Sequence, residues 1–179
     1  MHRKGVVRAS LAALIAVALA FSLAHASAET GGRELTLSHT FTLAELADRL
    51  PVVHFALHNP FYDGRLKVYR GFYLADVIRL ITSDEDAVIH FEALDGYKVS
   101  MDISGLFSDP EIVGIVAFEE IGVPGGFEPV SYGGRYVEDA GPFWLVWGHI
   151  DPSQVTDGGE SLVKEKLWPW QLAEIRIEH

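Results

Sequence analysis

The sequence predicts an α+β domain, mainly β, built on a mixed sheet with short helices. Three observations carry this. Short apolar stretches of alternating period recur along the chain, bounded by glycine, proline and acidic turns. Only two stretches have a helical period, and both are short. No internal repeat or low-complexity linker divides residues 29–179, so they read as one domain.

The elements follow in chain order. Leu35 to Ser38 alternates and is read as the first strand. Thr42-Leu43-Ala44-Glu45 is a capping box, with Thr42 as N-cap and Glu45 reaching back. The helix it opens runs to about Leu50 and is stopped by Pro51. Val52 to His58 is a strand with Val53, Phe55 and Leu57 on one face, and Asn59 to Gly64 is turn-rich. Arg70 is placed on a turn after the next strand. From Phe72 a helical stripe of Leu74, Val77, Ile78 and Ile81 is expected, broken by Ser83 to Asp86. Val88 to Ala93 and Tyr97 to Ile103 form a hairpin around Asp95-Gly96, a pair suited to a type I′ turn. Ile112 to Phe118 is the most apolar strand and is expected inside a sheet. Residues 121–139, rich in glycine and acid, are read as a long loop. Phe143 to Trp147 is a strand, and 151–160 a polar loop. Leu172 to Ile177 is the last strand, with Leu172, Glu174 and Arg176 on one face.

The first 28 residues have the form of a cleaved export signal. Arg3, Lys4 and Arg8 precede an apolar run from Leu11 to Ala24, which ends in Ala24-His25-Ala26-Ser27-Ala28. The run is shorter than the roughly 20 residues of a spanning helix. Cleavage is expected after Ala26 or Ala28, giving an exported domain with no membrane insertion. Cleavage takes three basic residues and no acid from a chain of net charge −11, leaving −14. Such an acidic domain repels phosphate backbones and anionic lipid, which argues against nucleic acid as a partner. The chain has no cysteine. A disulfide framework, a thiolate ligand and a cysteine nucleophile are all excluded.

Several constellations fail on geometry. His54 and His58 lie about 13 Å apart along a strand at ~3.3 Å per residue, too far to share a metal. His149 and Asp151 follow an apolar strand, but no G-x-S-x-G nucleophile turn accompanies them, and Ser131 lacks that context. Pro124-Gly125-Gly126 has no lysine or helix after it and is no phosphate loop. Glu119-Glu120 reads as a solvated rim at a strand end. The aromatic set says more. Trp144, Trp147, Trp168 and Trp170 all fall in the last third, and Trp168-Pro169-Trp170-Gln171 puts two indoles on one side of an extended segment beside an amide. Tryptophans mostly pack in cores, yet a flat heteroaromatic ligand also needs a π-face with donors and acceptors at its edge.

Three ordered blocks give a resemblance. Tyr69-Arg70-Gly71-Phe72-Tyr73-Leu74-Ala75-Asp76-Val77-Ile78, then Phe91-Glu92-Ala93-Leu94-Asp95-Gly96-Tyr97-Lys98-Val99-Ser100, then Gly141-Pro142-Phe143-Trp144-Leu145-Val146-Trp147 with Trp168-Pro169-Trp170-Gln171-Leu172-Ala173-Glu174-Ile175 together resemble sulfite-oxidase-like molybdopterin-binding domains. The resemblance spans Leu35 to the C-terminus and implies that family's mainly β fold. Its enzymes hold molybdenum through a pterin dithiolene and a cysteine, expected here between His54 and Asp63, where none stands. In this the chain is similar to the cysteine-less, exported pterin-binding branch of PruR type. That branch implies a non-catalytic periplasmic protein with a pterin as ligand and no covalent or metal cofactor. Its partner would be the periplasmic domain of an inner-membrane signalling protein that makes or degrades cyclic di-GMP. On this reading Trp147, Trp168 and Trp170 are candidate walls, Tyr97 assists, Asp95 and Asp139 are candidate carboxylates for the pterin edge, and Arg70 faces the polar tail. Asp95 also fits a plain Asp-Gly turn. The alternative is an oxidoreductase or redox subunit that keeps molybdopterin without the cysteine. A third possibility is a structural partner whose old pocket is filled by its own side chains.

Overall fold

The computed structural model of the chain describes residues 33–37, 40–102, 104–108, 113–124, 126–132, 134–148, 156–157, 160–161 and 168–178. The export segment, His149, Asp151 and most of the polar stretch 151–160 lie outside these residues. Strand β1 (Glu34–Thr36) pairs antiparallel with β2 (Thr40–Thr42), which leads directly into helix α1 (Leu43–Arg49). The capping box is present in full. Thr42 Oγ1 accepts the Glu45 N–H at 3.2 Å, and the Glu45 carboxylate accepts the Thr42 N–H at 2.8 Å. Leu50 turns extended ahead of Pro51 and closes the helix.

Strands β3 (Val53–Asn59) and β4 (Arg65–Tyr73) pair antiparallel around a 3-10 turn, Pro60–Tyr62. The expected turn at Arg70 is not found, and β4 continues through it to Tyr73. Helix α2 then covers only Leu74–Arg79, burying Leu74, Val77 and Ile78. Pairing decides this. Arg70 lies opposite Glu119 and Gly71 opposite Ala117 on β7 (Val113–Glu120), so Phe118 is the extra residue of a β-bulge. A Cβ on Gly71 would stand 2.5 Å from the Val116 carbonyl oxygen, so only glycine permits this approach.

Strands β5 (Val88–Ala93) and β6 (Lys98–Asp102) form the expected hairpin with a different turn. Ala93 accepts from Gly96 N–H at 2.9 Å, and its own N–H donates to the Tyr97 carbonyl at 2.9 Å. Within the loop a positive φ occurs at Gly96 and not at Asp95. A type I′ turn needs both, so the connection is a three-residue loop, Leu94 to Gly96, closed by a left-handed glycine. Helix α3 (Ser104–Ser108) follows. The stretch read as a long loop holds a small hairpin, β8 (Val130–Tyr132) with β9 (Arg135–Val137). Strand β10 (Trp144–Gly148), the short pair β11 (Thr156–Asp157) with β12 (Glu160–Ser161), and β13 (Leu172–Glu178) complete the order.

The main strands make two sheets. One is mixed, in the order β2-β1-β13-β5-β6, with β1 and β13 parallel. The other is antiparallel, β10-β7-β4-β3. As expected, β7 lies inside its sheet, and Gly114 to Phe118 are all buried. The plain alternation expected for β13 is broken by a register shift between Leu172 and Glu174, so Leu172 and Ile175 are both buried. One apolar core draws Leu35, Phe91 and Ile175 from the first sheet and Phe72, Ile115 and Trp144 from the second. A bridge between Phe143 and Leu172 ties the sheets together. Among the described residues, no helix is long and apolar enough to cross a membrane.

Candidate functional site

The 3-10 turn and the segment Trp168 to Gln171 are distant in sequence and meet at one end of the fold. Phe61 meets Trp168 edge-on at 6.0 Å between ring centroids, and Trp170 at 5.1 Å. Trp144 lies behind them, 5.9 Å from Phe61, 5.7 Å from Phe127 and 6.4 Å from Trp170. Trp168 is buried, whereas Trp170 is half-buried. Trp144 Nε1 is buried without a hydrogen-bond partner among the described residues. Such orphan donors are uncommon in folded proteins.

Gln171 organises the rim beside this cluster. It holds a left-handed backbone, φ 55°, and its N–H donates to the Ala140 carbonyl at 2.7 Å. Its carbonyl accepts from Leu94 N–H at 2.9 Å, and its amide nitrogen donates to the Asp139 carbonyl at 3.2 Å. The loop carrying Asp95 and Tyr97, the segment carrying Asp139, and Trp170 thus share one rim. The Asp95 carboxylate accepts the Tyr97 N–H at 3.0 Å and pairs with Arg135 at 2.6 Å. These hold its carboxyl below the usual range, the Tyr97 backbone first and Arg135 after it. Asp139 accepts the Gly141 N–H at 2.8 Å. A Cβ on Gly126 or on Gly141 would stand 3.1 Å from its Oδ1, so small residues line the carboxylate.

Two candidate residues lie elsewhere. Arg70, in mid-β4, pairs with Glu119 at 2.8 Å and covers the Phe118 ring at 5.4 Å. Trp147, on β10, is buried against Gly114, where a Cβ would stand 2.8 Å from its ring. Gly114 lines a small cavity of about 230 Å³ with Tyr73, Asp76, Arg79 and Leu106.

Sequence reading missed a polar cluster under the 3-10 turn. Lys67 is buried and pairs with Glu120 at 2.5 Å and with Glu128. Arg65 holds the other Glu128 oxygen at 2.9 Å, and Lys67 stands 4.2 Å over the Tyr62 ring. The Lys67 and Arg65 hydrogen bonds hold the Glu128 carboxyl below its usual range. Tyr62 donates to the Glu128 carbonyl at 2.5 Å, and Asn59 donates to Tyr69 Oη at 2.7 Å. Burial pushes both phenols well above their ordinary range. Glu120 is therefore a buried ion-pair partner and not a solvated rim. The signal available was alternation, because Lys67 shares the inward face of β4 with Tyr69.

Among the described residues no group of three or more His, Asp or Glu could hold a metal. The sequence supplies no thiolate for molybdenum, so the residues present do not fit that centre. No family model and no curated protein matches this chain.

Proposed function

We propose that the chain is an exported domain of sulfite-oxidase-like fold that works in the periplasm and binds a pterin non-catalytically. One observation carries the reading: Trp170, Gln171, Asp139, Asp95 and Tyr97 converge on one rim. Trp170 offers an indole face, Asp139 a carboxylate for an aminopyrimidinone edge, and Gln171 an amide between them. Asp95 is engaged by its turn and by Arg135, which makes Asp139 the stronger partner for the ligand. Leu94 and Tyr136 are largely exposed, at 64% and 68%, on the two hairpins that Asp95 and Arg135 join. They suit contact with the periplasmic domain of a membrane-bound cyclic di-GMP enzyme that would read the occupied rim. The oxidoreductase alternative has no thiolate to rest on.

The test is titration of the domain lacking residues 1–28 with oxidised and reduced pterins, followed by tryptophan fluorescence and calorimetry. Binding is expected, weakened about tenfold by Trp170→Ala or Asp139→Asn, which is ~1.4 kcal/mol. Absence of binding to any pterin at tens of micromolar would sink the reading. A second reading has an observation in its favour, since Trp147 and Trp168 are packed by the protein's own side chains. A filled pocket in a structural or assembly partner predicts that null titration.

A further inference from the structure

The outer face of the five-stranded sheet holds a groove of about 360 Å³, lined by His90, Glu92, Lys98, Ser100, Arg176 and Glu178. Cross-strand register builds it. His90 on β5 lies opposite Ser100 on β6 and opposite Arg176 on β13. Ser100 Oγ is 2.6 Å from His90 Nδ1, and the Glu178 carboxylate is 2.8 Å from His90 Nε2. In the neutral ring one tautomer serves both contacts. Nε2–H donates to Glu178, and Nδ1 accepts the Ser100 hydroxyl proton. The neighbouring cations do not compete for Glu178. Lys98 and Arg176 both close on Glu92, at 2.9 and 2.6 Å.

We propose that Ser100, His90 and Glu178 act as nucleophile, base and positioning carboxylate, and that the groove hydrolyses small carboxylic esters. A hydroxyl within hydrogen-bond reach of a base that is oriented by a third group is the arrangement nucleophilic catalysis needs. Ser100 Oγ bonds to the ester carbonyl carbon as its proton passes to His90 Nδ1. The bond to the alcohol oxygen then breaks, and His90 returns that proton to the departing alkoxide. Water repeats the sequence on the acyl-serine and releases the acid. Lys98 lies two residues from Ser100 on the same face of β6. Its ammonium has three donors, of which Glu92 takes one, so it can meet the developing oxyanion. The site is separate from the pterin rim and does not rest on it.

The test uses the domain lacking residues 1–28 with diisopropyl fluorophosphate and p-nitrophenyl acetate. One label per chain is expected, on Ser100 by peptide mass spectrometry, with fluoride released. Ser100→Ala should abolish both labelling and acetate turnover. His90→Gln should slow labelling about 100-fold or more, the general-base contribution. Glu178→Gln should lower the limiting labelling rate about tenfold while the half-saturating probe concentration stays unchanged, as a positioning role requires. The absence of a label, a label on another residue, or equal labelling of His90→Gln and the parent would overturn the proposal.

Discussion

Lys67→Met tests whether the cluster beneath the 3-10 turn is cut off from water. The substitution keeps the aliphatic stem and removes a cation whose side chain is 8% exposed, paired with Glu120 at 5%. Glu128 loses least, because Arg65 still holds it at 2.9 Å. Among the described residues the Glu120 carboxylate is left with one hydrogen bond, from the Glu128 N–H at 3.2 Å. Stranding a buried charge in this way costs about 3–5 kcal/mol. Loss of the cation over the Tyr62 ring adds about 1 kcal/mol. Together these come to about 4–6 kcal/mol, and urea unfolding with a slope of about 2 kcal/mol/M then moves its midpoint down by roughly 2–3 M. Removing both charges in Lys67→Met with Glu120→Leu changes the outcome. That chain gives up the ion pair together with its desolvation cost and should fall within about 1–2 kcal/mol of the parent. The strong non-additivity of the cycle is the signature. A single variant costing under about 1 kcal/mol, or a double variant as unstable as the single, would refute the burial argument.

Gly71→Ala should be among the most damaging small substitutions, because the new methyl meets the Val116 carbonyl oxygen and the Ala117 Cα, backbone atoms that cannot step aside. A loss of about 3 kcal/mol or somewhat more is expected from overpacking, readable in thermal unfolding, and a change under about 1 kcal/mol would show that the β4–β7 bulge tolerates a wider spacing. Acid should destabilise the domain. The Glu128 and Asp95 carboxyls sit below their ordinary values of 4.5 and 3.8 in the folded chain. Their contribution is therefore complete above those values and is lost as pH falls through the depressed ones. The melting temperature should hold steady above that range and drop below it, with a shallower drop in Glu128→Gln with Asp95→Asn. An unchanged acid slope in that double variant would remove these two groups from the cause.

What the sequence determined by itself was local. The capping box is legible because Thr42 and Glu45 need only each other and three residues of helix. Strands β7 and β10 are legible because a strand buried on both faces must be apolar throughout. The absence of cysteine, which removes thiolate chemistry, is a matter of composition alone. Tertiary structure decided whatever depended on which strand meets which. The helical period after Phe72 suggested an earlier helix, but hydrogen bonding to β7 keeps Arg70 to Tyr73 extended. It also separates Arg70 and Trp147 from Trp168, Trp170, Asp95, Tyr97 and Asp139, which no spacing could sort. The β5–β6 loop shows most sharply how a small local choice has a long reach. A two-residue Asp95-Gly96 turn would set His90 opposite Met101. The three-residue loop shifts the register by one and sets His90 opposite Ser100, with Glu178 brought alongside by β13. One residue of register exchanges the faces of a strand, and only the packed sheet selects between the two.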